Sequence, residues 1–128
     1  MNNGINKKDI EYFLNKMNLT NRRCGFNTDI YKLIEGDVSE SIPKYLRENP
    51  GFRISYLYLD LDIDEPTYIS LNLLYDRIVR GGIIVLDEYA CEKWTESNGV
   101  DKFLKLHPEL EIKTLQWART PTAYIIKK

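Results

Sequence analysis

The stretch "ISYLYLDLDIDEPTYISLNLLYDRIVRGGIIVLDEY", Ile54 to Tyr89, decides the fold. Ile54 to Leu61 is a near-continuous apolar run, the pattern of a central parallel strand buried on both faces. Asp64 can cap the helix that follows, and Pro66 sits in its first turn, where a missing N–H matters least. Leu71, Leu74 and Ile78 then form one apolar stripe at helical spacing. Gly81-Gly82 reads as a left-handed helix stop and Ile83 to Leu86 as a second buried strand. Strand, helix and strand make a βαβ unit with a right-handed crossover. If its two strands are neighbours, Asp60 and Asp62 after the first and Asp87 and Glu88 after the second come to one edge of the sheet. Open α/β sheets bind their ligands at that edge.

Carboxylates gathered in this way repel one another unless they are protonated or bridged by a cation, and oxygen-only donors suit a hard divalent ion, Mg²⁺ or Mn²⁺. A plainer reading serves Asp62, Asp64 and Glu65 equally well: acidic residues in a first helical turn meet the positive end of the helix dipole. Asp60 and Asp87 have no such use, because strand ends make no capping demand.

The rest of the chain fits around this unit. Asp9 can cap a helix through Ile10, Phe13, Leu14 and Met17, and Asn21 to Asn27 reads as a loop. Tyr31 to Glu35 is a short strand candidate ending at Gly36-Asp37, and Ser39 looks like the cap of a helix that stops near Asn49-Pro50-Gly51. Val100, Phe103, Leu104 and Leu106 suggest one more helix before Pro108. Leu110 to Trp117 and Thr122 to Ile126 make a terminal hairpin. With 128 residues, 43% of them hydrophobic, the expectation is one domain with a real core. Eighteen basic against nineteen acidic residues leave a formal net charge of -1, which gives no field for nucleic acid or an anionic membrane. No apolar run is long enough to span a bilayer, and Cys24 and Cys91 lack metal or redox spacing, so the cytoplasm is the expected location. His107, the single histidine, ends a helix beside Pro108, and Tyr56, Tyr58 and Tyr75 read as core and edge packing.

Tyr58 to Tyr89 resembles the second half of the macrocin-O-methyltransferase-like family, S-adenosylmethionine-dependent enzymes of the class I methyltransferase fold that modify sugar hydroxyls on natural products. The shared features are Asp60-x-Asp62 with Glu65 and Thr67, then Leu74-Tyr75, Gly81-Gly82, and Asp87-Glu88-Tyr89 where the family has D-D-Y. The upstream "EGDVSESIPKYL" is similar to the family's segment after strand three, and Trp94, Asp101 and Phe103 fall where its downstream Trp and D-x-F occur.

The resemblance implies a Rossmann-like α/β fold: a partial class I methyltransferase sheet of parallel strands with a C-terminal antiparallel hairpin, lacking the first two strands. It implies Asp60, Asp87 and Glu88 as ligands of Mg²⁺ or Mn²⁺, Asp62 as the base that takes a proton from the acceptor hydroxyl, and Asp37 beside the adenine of S-adenosylmethionine. The implied partner is a small-molecule hydroxyl, on a sugar or natural product. Neither a GxGxG-like turn nor the two strands around it is present in these residues, so the expectation for 1–128 is the C-terminal half of a methyltransferase domain with no methyl transfer alone. The same fold leaves Tyr31 to Glu35 without its neighbour and Ile54 to Leu61 with a bare edge, which predicts a homodimer. Two rival readings are a non-catalytic binding or assembly module of the same descent, and a glycosyltransferase-like use of Asp60-x-Asp62. The second leaves Gly81-Gly82 and Asp87-Glu88-Tyr89 unexplained.

Overall fold

The computed structural model describes residues 6–25 and 31–128. It divides into two compact units, Met1–Glu35 and Gly36–Lys128. In the first, helix α1 spans Lys7–Arg23. Its start is capped by Asn6, whose Oδ1 accepts from Asp9 N–H at 3.0 Å, and not by Asp9. The helix runs through Arg23, beyond its expected apolar stripe, to a left-handed Gly25 with φ of 91°. The later part of the loop expected at Asn21 to Asn27 lies outside the described residues. Tyr31 to Glu35 is not a strand. It joins no ladder, and side-chain bonds hold it to α1: Tyr31 O–H donates to Asn15 Oδ1 at 2.9 Å and Lys7 Nζ meets Glu35 Oε2 at 2.6 Å.

The second unit begins with helix α2, Val38–Glu48. Strand β1, Ile54–Leu59, and helix α3, Asp64–Leu74, follow. A turn of 3₁₀ helix at Tyr75–Arg77 leads into strand β2, Ile78–Leu86. Helix α4, Glu96–Leu106, and the strands β3, Ile112–Thr114, and β4, Ala123–Ile126, complete it. The sheet order is β1-β2-β4-β3, with β1 parallel to β2 and the other pairs antiparallel. This is the partial methyltransferase-type sheet with its terminal hairpin that the sequence predicts.

Gly81-Gly82 does not stop the helix. The helix closes a turn earlier, where Tyr75 N–H reaches Leu71 C=O, and the two glycines lie inside β2. There Ile54 pairs with Ile78 but Tyr56 pairs with Ile83, so β2 carries extra residues against β1. Gly81 takes φ of 80° in that kink, which a side chain would strain. A Cβ on Gly82 would stand 2.6 Å from Ile78 Cγ2 and 2.8 Å from Val79 O.

One face of the sheet is covered. Leu71 from α3 and Val100 and Phe103 from α4 pack with Ile54, Leu59, Ile78, Ile84, Leu86, Ala123 and Ile125 into the core. The expectation that β1 is buried on both faces fails: it is an edge strand, and Tyr56 and Tyr58 are 58% and 42% exposed beside exposed Ile83 and Ile126. Only Ile54 and Leu59, at its two ends, are buried, which a run of tyrosines and aliphatics does not reveal in the sequence. At the far end Lys127 Nζ donates to Tyr75 C=O at 2.8 Å and Ile78 C=O at 2.9 Å, and lies 4.3 Å from the Tyr75 ring centroid.

Candidate functional site

β1 and β2 end in register, Leu59 beside Leu86. The ladder continues one step, as Asp87 N–H donates to Leu59 C=O at 3.1 Å. Asp60 and Asp87 therefore leave neighbouring strands side by side, as the sequence predicts. The carboxyl of Asp60 is held above the usual carboxylate range by partial desolvation first, and then by the charges of Asp87, Asp62 and Glu88. Asp60 thus feels the charge of the three other acids at this edge.

Asp62 sits on a tight turn. Its φ is 61°, and Ile63 N–H reaches back to Leu61 C=O at 2.6 Å around it. A non-glycine residue in the left-handed region is uncommon, and such strain gathers at functional sites. Ala90, just past Asp87-Glu88-Tyr89, is left-handed too, with φ of 63°. Both acidic loops therefore turn sharply after leaving their strands.

The segment in front of α4 ties these loops together. Thr95 N–H donates to Asp62 C=O at 3.0 Å, and Thr95 Oγ1 accepts from Asp64 N–H at 3.1 Å. On the other loop, Glu88 N–H donates to Glu96 Oε1 at 3.3 Å and Ala90 N–H to Ser97 Oγ at 2.7 Å. Tyr89 O–H bonds Asp101 Oδ1 at 2.9 Å, which gives that motif pair a positioning use. Gly99 allows this approach: a Cβ there would fall 2.2 Å from Asp64 C=O. None of Thr95, Glu96, Ser97 or Gly99 stands out as a site residue when α4 is read as starting at Val100. A glycine inside a helical pattern, with Thr-Glu three residues before it, is the signal that marks them.

Glu96 is fully buried. Burial is the main reason its carboxyl is pushed up to about 7; the Glu88 and Leu61 N–H groups favour its anion, and Asp87 and Asp60 oppose it. Its Oε2 has no hydrogen-bond partner. Across the strands the Tyr58 hydroxyl donates to Asp87 Oδ1, so Tyr58 serves the site and is not only edge packing.

Asp37 has a structural duty. It is the cap of α2, in place of Ser39, and its Oδ1 accepts from Ser39 N–H at 2.8 Å and Ser39 Oγ–H at 2.6 Å. Those bonds hold its carboxyl below the usual range. It lines a cleft of about 400 Å³ with Val38, Ser39, Ile63, Asp64, Pro66 and Ile69, among others. Asp64 is a helical residue and not the cap of α3, a place taken by Ile63. Thr67 Oγ1 bonds back to Ile63 C=O at 2.8 Å.

Among the described residues no three His, Cys, Asp or Glu side chains are drawn together as a ligand set. The acids stand at the edge as an open array. All the donors at this edge are oxygens, the type that suits a hard divalent cation, but they are not gathered as a ligand set. His107 takes no part. It ends α4 and lies 4.4 Å from both the Tyr75 and Phe103 rings, centroid to centroid.

Residues 8–112 match the family described as macrocin-O-methyltransferase (TylF). The chain belongs to this family. The TylF assignment agrees with solved structures. The calicheamicin methyltransferase CalS11 is 30% identical over 96% of this chain and 48% of its own, with a TM-score of 0.77. The apo structure of CalS11, described as a TDP-rhamnose 3'-O-methyltransferase, gives 30% identity over 96% of this chain and 54% of its own, also with a TM-score of 0.77. The O-methyltransferase NovP, at 21% identity over 89% of this chain and 44% of its own, shares the fold with a TM-score of 0.65. No curated protein sequence matches. This TylF-family chain spans about half the length of the solved structures it resembles. No helix among its described residues is long and apolar enough to cross a membrane.

Proposed function

We propose that this chain supplies the acceptor side of an S-adenosylmethionine-dependent O-methyltransferase site acting on a sugar hydroxyl, and that residues 1–128 correspond to the C-terminal half of such a domain. The observation that carries the reading is the continuation of the β1–β2 ladder by Asp87 N–H to Leu59 C=O at 3.1 Å, which sets the Asp60 and Asp87 loops on one sheet edge. Family membership supports a methyl donor of this class, and likeness to CalS11, a TDP-rhamnose 3'-O-methyltransferase, supports a nucleotide-linked sugar as acceptor. The glycosyltransferase-like use of Asp60-x-Asp62 has no such support.

In this reading Asp62 is the general base. Its carboxylate would take the proton of the acceptor hydroxyl, and S-adenosylmethionine, when bound, would supply the electrophilic methyl group to that oxygen. Asp60, Asp87 and Glu88 would hold Mg²⁺ or Mn²⁺, and such an ion makes a bound hydroxyl more acidic and orients it. Asp37, at the mouth of the cleft between α2 and α3, would face the adenine. We further propose that the 128 residues alone bind the methyl donor weakly and do not turn it over, because they carry no glycine-rich turn. A homodimer through the free edge of β1 is part of the same proposal.

Titration with Mg²⁺ tests the site. The melting temperature of the parent should rise and that of Asp87→Ala should not; an equal rise in both places the ion elsewhere. Calorimetry with S-adenosylmethionine, together with a methyl-transfer assay on a nucleotide-linked deoxysugar, tests the second half. Robust turnover by the isolated chain would refute it.

A further inference from the structure

Trp117 is 85% exposed, the most open of the large hydrophobic side chains among the described residues. Its loop is nevertheless built. Leu115 N–H donates to Thr122 C=O at 2.8 Å and Ala118 N–H to Leu115 C=O at 3.1 Å, so the chain between β3 and β4 closes into a bonded turn with Trp117 on it. A large aromatic held out in water buries little and adds little to the fold. It is the kind of side chain that contacts between molecules favour, an apolar body with one polar N–H.

The register places this turn at the acidic edge. Thr122 N–H donates to both Leu86 C=O and Asp87 C=O, at 3.1 Å each, so the hairpin is pinned to the end of β2 where the Asp87 loop leaves it. In the order β1-β2-β4-β3 the turn stands beside Asp87, on the side away from Asp60. From β1 to β3 is three strand spacings, roughly 14 Å. A single sugar ring at Asp62 does not cover that width, whereas a sugar joined to a nucleoside by a diphosphate does. Charge points the same way. A diphosphate set down beside Asp60, Asp62, Asp87 and Glu88 is repelled unless a cation lies next to them. Arg119, two residues past Trp117, is exposed and makes no ion pair among the described residues. The acids lie within the residues 8–112 that match the family and the turn lies beyond them, which suits a part that sets preference and not chemistry.

We propose that the β3–β4 turn is the nucleotide dock of the acceptor: Trp117 stacks on the base and Arg119 pairs with the diphosphate, leaving the sugar toward Asp62. The proposal rests on the reading of the acceptor as a nucleotide-linked sugar given above. Both contacts go to the part of the acceptor that does not react, so they decide which acceptor binds. A planar guanidinium suits phosphate oxygens, and an indole face accepts any base. Loss of a stacked aromatic typically weakens binding by about five- to a hundredfold.

The test is calorimetric titration of the full chain with thymidine diphosphate, without metal or methyl donor, comparing parent, Trp117→Phe, Trp117→Ala and Arg119→Gln. Both positions are exposed, so every variant should keep the parent's melting temperature. Trp117→Ala should bind about five- to a hundredfold more weakly than the parent, and Trp117→Phe, which keeps a ring, should lie between them. Arg119→Gln should lower the affinity for thymidine diphosphate toward that for thymidine. Affinity within twofold of the parent in either Trp117→Ala or Arg119→Gln overturns the dock while leaving a nucleotide-linked acceptor standing. No binding of thymidine diphosphate by the parent overturns the proposal outright; the sugar-hydroxyl reading is judged separately, by the Mg²⁺ and methyl-transfer measurements above.

Discussion

The hydroxyl of Tyr58, on an edge strand, donates to Oδ1 of Asp87, just past the end of the neighbouring strand. That bond joins the exposed face of the sheet to its acidic end. It also pushes the Tyr58 hydroxyl up to about 12, the bond itself being the largest cause and burial and the Asp87 charge following.

One tyrosine should therefore ionise near 12 in a spectrophotometric alkaline titration of the folded chain. The sign follows from the raised value. Its contribution to stability is complete below the ordinary tyrosine value of 10.0 and is lost as pH rises through about 12. Asp87→Asn should bring that tyrosine back toward the ordinary value. A parent titration with no late tyrosine would show that the bond does not persist in solution.

Glu96 gives a second pH dependence. Its carboxyl is raised from 4.5 to about 7 in the fold, so its contribution is complete below 4.5 and is lost as pH rises through about 7. Denaturant unfolding from acid to neutral pH should show Glu96→Gln gaining on the parent by on the order of 2 kcal/mol across that interval. A constant difference between the two proteins would mean that the fold leaves the Glu96 carboxyl at its ordinary value.

Gly99→Ala should destabilise the chain. The new Cβ would lie 2.2 Å from Asp64 C=O and 3.1 Å from Tyr68 N, so α4 must move away from α3. Overpacking of this kind costs about 1 to 3 kcal/mol, against a helix-propensity gain of about 1 kcal/mol. Because α4 carries Thr95 and Glu96 at its start, the variant should also lose any Mg²⁺-dependent stabilisation that the proposed cation site gives the parent. A more stable Gly99→Ala protein would show that the contact relaxes freely.

Lys127→Met should keep the apolar stem and lose both bonds to Tyr75 C=O and Ile78 C=O, while Tyr75 C=O keeps the N–H of Ile78. A loss of about 2 kcal/mol in urea unfolding is expected. A change below about half of that would mean water replaces the ammonium without penalty.

Sedimentation at micromolar concentration examines the free edge of β1, where a dimer is expected. Replacing Tyr56 by Lys, on the exposed face of that strand, should shift it to monomer. A monomeric parent would dispose of edge pairing.

The βαβ core and the meeting of Asp60 with Asp87 were legible because both depend on local pattern: apolar runs of strand length, a proline in a first helical turn, acids placed just past each run. The terminal hairpin was legible for the same reason. What eluded reading depends on contacts distant in sequence. Tyr31 to Glu35 has strand-like residues but no partner strand, and apolar character alone does not make a ladder. Gly81-Gly82 carries the same local signal whether it ends a helix or kinks a strand, and only the pairing of Tyr56 with Ile83 distinguishes the two. Tyr58 and Glu96 acquire their roles from groups 29 and 8 residues away in the chain.

Thr95 is bonded to Asp62 and Asp64 at the very point where α4 begins. That makes the start of the helix a pivot. Eleven residues extend about 16 Å from it, so a tilt that swings exposed Leu106 sideways by an ångström or so, by simple leverage on that length, barely displaces Thr95. Substitutions at the far end of α4 should be absorbed as lost stability with the acidic edge unmoved, whereas those at Thr95 and Ser97 should reshape that edge. The shape of the acidic edge can therefore vary through Thr95 and Ser97 without any change to a carboxylate.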